Sequence, residues 1–313
     1  MGMKQRAAGL VLSVLMCFPA FGAPLSSNAR TVIPSQVQQV ISVDYRALRG
    51  SQTALALKNR VLPENLKQFE SALRASGIDP NKDVEQLTFV TFRQANKGLY
   101  AVGIAQGPFK QKEFLQKMQV RKIKPEKYLL SYLYPMGSGM QLVFLDPSTI
   151  VFGENASLKG AIDVRDKGVE SLALNNSIND LITDIDSAPI WSVLDQNGTQ
   201  NMMKSALGQA SSLADYDAVK KRLLASDYVM NFDNGVTFDL SVKTSDNMTA
   251  ASLASLLKAG VMYRKINATP TEKLALESMT VDNQHDLLQM HFKTDDQRFQ
   301  ALLKSDLFAS LSH

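Results

Sequence analysis

The chain offers little from which acid–base, nucleophilic or metal chemistry could be built. It has three histidines, His285, His291 and His313, and imidazole is the side chain best placed to move a proton or hold a metal near neutral pH. In the run Leu288-Gln289-Met290-His291-Phe292 the apolar residues alternate, which sends His291 to a polar strand face with Gln289 and Lys293. His285 and His291, taken with Asp282 or Asp286, could in principle approach a metal. Their spacing suits no zinc motif. Both are expected to be solvated or structural, and neither a metal nor a cofactor is expected.

Serine chemistry has one imitation. Lys243-Thr244-Ser245-Asp246-Asn247, followed by Ser255-Leu256-Leu257-Lys258, resembles the Ser-Asp-Asn and Ser-x-x-Lys elements of penicillin-interacting serine enzymes. In those enzymes Ser-x-x-Lys comes first and the elements converge from distant parts of the chain. Here the order is reversed and everything lies on one strand end and one helix. Ser255 and Lys258 sit about one turn apart, but Ser245 cannot fold back onto them, so a helix cap and a solvated helix face are expected. Gly-x-Ser-x-Gly, His-Glu-x-x-His and the phosphate loop are absent. Asp180, Asp184 and Asp186 cluster, and Asp295 adjoins Asp296, yet no distant carboxylate partner can be named for acid–base work. No catalytic residue is assigned, and an enzyme is the less favoured reading.

One segment stands above this background. Residues 110–127 carry Lys110, Lys112, Lys117, Arg121, Lys122, Lys124 and Lys127 against only Glu113 and Glu126. Phe114, Leu115 and Met118 make an apolar stripe within it. Such a segment could engage an anionic surface, whether lipid headgroups, an acidic polysaccharide or a partner protein.

The elements that must position these residues read as α+β. Alternation and β-branched residues predict strands over residues 39–45, 85–93, 98–106, 128–134, 140–145 and 149–152. Helices are predicted where Leu62, Leu66, Phe69 and Leu73 recur before Gly77, and over residues 111–119 and 156–166. A strand at 190–195, helices at 200–209 and 217–224, and a hairpin across Asp233-Asn234-Gly235 follow. Then come a helix at 247–262, strands at 278–281 and 287–293, and a helix at 295–304 with Thr294 and Gln297 as capping box. Both halves run strand, helices, hairpin, helix, further strands, helix. This predicts two similar units of mostly antiparallel sheet with helices packed on one face, at residues 38–168 and 187–313, joined by 169–186 and preceded by a polar leader at 23–37. The helix at 247–262, nearly uncharged, is expected between the halves.

The stretch Ala156-Ser157-Leu158-Lys159-Gly160-Ala161-Ile162-Asp163, then Ser171-Leu172 and Ala188-Pro189-Ile190-Trp191-Ser192-Val193-Leu194-Asp195, resembles the midsection of a group of exported, duplicated bacterial proteins without an assigned activity. The resemblance implies an exported location and a repeated α+β layout.

The first residues make the same point about location. Lys4 and Arg6 precede an apolar run at 7–18 and the small-residue site Ala20-Phe21-Gly22, the form of a cleavable secretory signal over residues 1–22. Cys17 follows Met16, where a lipoprotein signal wants a small residue, so a lipid tether is not expected. Cleavage removes the chain's one cysteine, and with Lys4 and Arg6 gone 32 basic residues face 30 acidic ones. Disulfides are thereby excluded, and the near-neutral balance argues against nucleic acid as a partner. The reading favoured is an exported, periplasmic or extracellular, non-enzymatic binding or scaffold protein of the cell envelope, with no membrane span after cleavage. Two alternatives stay open: a periplasmic hydrolase whose site forms only on folding, and a carrier of a small apolar ligand.

Overall fold

The structure is a computed structural model that describes residues 24–61, 64–94, 98–137, 139–207 and 216–304. The expected signal with Cys17, and His313, lie outside them. The strands are β1 (Val37–Asp44), β2 (Gln86–Gln94), β3 (Gly98–Gln106), β4 (Glu126–Tyr128), β5 (Ser131–Pro135), β6 (Met140–Asp146), β7 (Thr149–Glu154), β8 (Ile190–Leu194), β9 (Leu223–Asn231), β10 (Val236–Thr244), β11 (Met279–Gln284) and β12 (Leu287–Thr294). The helices are α1 (Ser27–Arg30), α2 (Tyr45–Arg49), α3 (Gln52–Val61), α4 (Glu64–Ala75), α5 (Pro80–Asp83), α6 (Gln111–Val120) and α7 (Asn155–Lys167). They continue as α8 (Asn176–Ile185), α9 (Gln196–Leu207), α10 (Tyr216–Lys220), α11 (Asn247–Asn267), α12 (Pro270–Glu277) and α13 (Asp296–Leu303).

All twelve strands join in one sheet, in the order β11-β12-β10-β9-β8-β1-β2-β3-β7-β6-β5-β4, and neighbouring strands pair antiparallel throughout. The α+β class and the antiparallel sheet are as the sequence predicts. At the middle β1 pairs with β8, from Gln39 opposite Leu194 to Val43 opposite Ile190. Outward from this seam the strands run β1, β2, β3, β7, β6, β5, β4 on one side and β8, β9, β10, β12, β11 on the other.

Side chains alternate across a strand, so the registers sort the core onto two faces. On the front, Val43, Leu87, Phe89, Ile150 and Phe152 pack under Phe69 and Leu73 of α4 and Phe114 and Met118 of α6. The same face continues through Leu240, Val242, Val281 and Leu288 under Met203 of α9 and Leu253 and Leu257 of α11. Phe292 meets Phe299 and Leu302 of α13 and Leu57 of α3 there. On the back, Val40, Phe92, Ile104, Val151, Trp191 and Val193 lie under Leu158 and Ile162 of α7 and Ile178 and Ile182 of α8. The expected single helical face therefore holds for β10, β11 and β12 and fails over the first half and the seam. There both sheet faces are apolar, and each needs a cover.

Other departures have local causes. The leader is not a polar tail: Leu25, Ala29, Val32 and Ile33 are buried in the back core, and the Ile33 carbonyl accepts from the Leu172 amide at 2.7 Å. The run at 128–134 is broken into β4 and β5 because Leu129 takes a positive φ of 50°. The helix expected at 217–224 stops at Lys220, and Leu223 opens β9. Asp295, not Thr294, caps α13, accepting from the Arg298 amide at 2.8 Å, while a full capping box forms at Thr269 and Glu272. Helix α11 extends to Asn267 and lies over β10, β11 and β12, not between the halves.

Two positions test this framework. In the β9–β10 turn Gly235 has φ 108°, and a Cβ there would lie 2.3 Å from the Thr294 carbonyl oxygen; Gly168, which ends α7 at φ 67°, has open space around it. Gly168→Ala is expected to cost about 1 kcal/mol of strain alone, and Gly235→Ala at least about 2 kcal/mol, in urea unfolding. Asp227 on β9 has its carboxyl pushed up to about 6, by burial first and then by the charge of Asp184 on α8. A raised carboxyl binds its proton more tightly in the folded state, so folding is penalised above about pH 6 and relieved as pH falls toward the ordinary carboxylate range. Asp227→Asn is expected to gain about 1–2 kcal/mol at pH 8, solvent screening included, and nothing near pH 4.

Candidate functional site

Helix α6 is held from below. Phe114 and Met118 are buried in the front core, and the Phe114 ring meets Tyr134 and Phe144 edge-on at 5.6 and 5.3 Å. Spaced at about 100° per residue, Lys110, Lys117 and Arg121 fall near one line that flanks the buried Phe114–Met118 stripe, and Lys112 lies on the far side of the helix. The Arg121 and Ile123 amides close the helix by donating to the carbonyls of Lys117 and Met118. Lys122 turns the chain at φ 56°, after which Lys124 and Lys127 lead into β4 at the sheet's edge.

All seven predicted basic residues are exposed. Only Lys110 has a carboxylate partner among the described residues, Glu113 at 3.5 Å. Glu126, the second acidic residue of the segment, is turned to the back face. It accepts from Lys159 at 2.5 Å, Asn155 at 2.9 Å and Gln141 at 3.2 Å, and the Lys159 ammonium leads in holding its carboxyl below the usual range. The edge is thus more cationic than its composition suggests. Apolar side chains stand among these charges: Val120 is 83 % exposed, Leu130 85 % and Tyr132 52 %. Lys127 and Tyr132 face each other across the β4–β5 pair, with Leu129 and Leu130 at its tip. A small pocket of about 60 Å³ lies under the first turns of α6, between Ile78, Phe109, Phe114 and Phe144, with Lys110 and Lys117 at its rim. It has room for about two waters.

Sequence reasoning found the cations and missed Val120, Leu129, Leu130 and Tyr132, since the turn at Leu129 has no glycine, proline or asparagine to mark it. The other candidates do not come together. Ser255 donates to the Ala251 carbonyl at 2.9 Å, and Lys258 reaches Asp282 at 3.6 Å. His291 pairs with Asp239 at 2.5 Å on the exposed back of β10 and β12, and His285 occupies the β11–β12 turn at φ 54°. Asp186 binds Arg30 at 3.0 Å. Among the described residues no helix is long and apolar enough to cross a membrane.

No family model and no curated protein matches the chain. Among solved structures, crystal forms I, III and IV of TP0453 align with it at 10 % identity, with TM-scores of 0.48, 0.46 and 0.45. The alignments cover 92 %, 92 % and 91 % of this chain and 100 %, 100 % and 97 % of theirs. No residue role is carried across so distant a likeness.

Anchor and surface should separate on mutation. Phe114→Ala removes a buried ring and is expected to cost about 3–4 kcal/mol, whereas Lys117→Gln should leave stability within about 0.5 kcal/mol, both read by chemical denaturation.

Proposed function

We propose that the protein acts outside the cytoplasm as a non-enzymatic envelope protein that applies the α6 and β4–β5 edge to an anionic lipid surface. One observation carries this reading: Lys112, Lys117, Arg121, Lys122, Lys124 and Lys127 lack carboxylate partners among the described residues and stand beside the exposed Val120, Leu130 and Tyr132. Cations attract anionic headgroups, and apolar side chains enter the interface between headgroup and acyl chain. A purely polar acidic chain would have no use for the second feature. Export is supported by the signal-like residues 1–22. A duplicated layout is part of the same proposal, supported by the like order of the first five strands on either side of the β1–β8 seam, to which β5 and β4 are an addition on one side.

The test is co-sedimentation with vesicles of phosphatidylglycerol and of phosphatidylcholine, and with an acidic polysaccharide. Binding is expected to phosphatidylglycerol vesicles, to weaken with salt, and to fall about 100-fold when Lys117, Arg121, Lys122 and Lys124 are all replaced by Gln, the melting temperature being unchanged. Leu130→Ser should lower vesicle affinity without altering its salt dependence. Absent wild-type binding, equal binding by the quadruple variant, or preference for the polysaccharide overturns the reading.

A further inference from the structure

The two ends of the sheet are built differently. At one end β4 is three residues long and carries Lys127, devices that discourage a further strand. At the other, β11 has six residues, no proline and no lysine, one charge at Asp282, and among the described residues hydrogen-bonds β12 alone. Its front-facing residues are Met279, Val281 and Asn283, and its back-facing ones Thr280, Asp282 and Gln284, as their partners on β12 fix.

We propose that a second copy of this chain pairs with β11, antiparallel, continuing the sheet across a twofold axis at Val281. Residues directly opposite in such a pair must share a face, so a twofold pairing of β11 with itself centres on a residue, and only two centres use most of the strand. A centre at Asp282 sets that carboxylate against its own copy, a like-charge contact that disfavours the register. A centre at Val281 sets Val281 against Val281, Thr280 against Asp282, and Met279 against Asn283. The last contact is extended by Met248, which is 75 % exposed at the start of α11 and follows Asn247, whose side chain accepts from Asn283 at 3.4 Å. Met248 of each copy thereby meets Met279 of the other. Lys258 of the front helix α11 reaches the back-facing Asp282 at 3.6 Å round the free edge, an exposed ion pair that the second copy displaces, leaving one charge of each sign per copy at the seam. Five paired residues from each copy bury less than the roughly 1,000 Å² a stable interface needs, so the methionine contacts are part of the proposal.

The experiment uses the chain lacking residues 1–22, which has no cysteine of its own. Sedimentation of the wild type should show a reversible dimer at or below about 100 µM. Thr280→Cys combined with Asp282→Cys should yield a covalent dimer on mild oxidation, and Thr280→Cys or Asp282→Cys alone should not. Thr280→Asp, which brings a second carboxylate against Asp282, should weaken the dimer at least about tenfold, while Thr280→Ser leaves it unchanged. A monomer at every concentration, cross-linking by either single variant as efficient as by the double one, or capture of an unrelated extended peptide in place of the second copy overturns the proposal.

Discussion

The antiparallel contact between β1 and β8 is the constraint on which the rest depends. Five registered pairs, from Gln39 opposite Leu194 to Val43 opposite Ile190, turn two short sheets into one. The same pairs set which side chains meet on each face: Val40 and Val193 enter the back core and Val43 and Ile190 the front. Without the seam, two central strands would become free edges with apolar residues on both faces, a state that invites aggregation. The segment after α7 acts as its clasp. Ser35 and Leu172 donate across to Glu170 and Ile33 at 2.9 and 2.7 Å, and Arg30 holds Asn179 of α8 and Asp186 at its C-terminal end at 2.5 and 3.0 Å.

Toward the β11 end the sheet becomes less buried, whereas the strands of the first half stay covered as far out as β7. Strand β2 is buried at five successive residues, 86–90, because helices cover both its faces. By β12 only the front-facing Leu288 and Phe292 are buried, and Gln289, His291 and Lys293 face solvent. The polar back of β10, β12 and β11 is therefore what remains where α1, α7 and α8 run out. Its His291–Asp239 pair is a solvated cross-strand contact of the kind such faces carry.

The elements set by short-range rules were legible. The hairpin β2–β3, the turn at Asn234-Gly235, and α6 and α7 follow from alternation, from a residue pair suited to positive φ and from three- to four-residue spacing. What could not be read is whatever depends on pairing far along the chain. The buried cluster in which Lys58 meets Glu70 at 2.7 Å and lies 4.2 Å from the Tyr45 ring centre joins three elements whose sequences carry no sign of one another. The Tyr45 hydroxyl donates to Glu70, and burial foremost pushes its phenol well above the ordinary range. The leader reads as polar along the sequence, which gives no sign of the back core that Leu25 and Ile33 share with α7 and α8. For the candidate site the charges were legible and their neutralisation was not, because the partners of Glu126 come from positions 141, 155 and 159.

That last point decides what kind of surface α6 presents. Counted along the sequence, Glu126 lies within the basic segment and would offset a neighbouring cation. In the fold, strand alternation sends it to the opposite face from Lys127, where Lys159 takes up its charge. An exposed carboxylate beside Lys124 and Lys127 would screen both within a few ångströms; a carboxylate committed to another ion pair across the strand does so far less. The pleat of a three-residue strand thus separates one anion from the cations around it. It is this separation, with Phe114 and Met118 holding the helix to the core, that leaves six exposed cations around α6 and β4 without a carboxylate partner among the described residues.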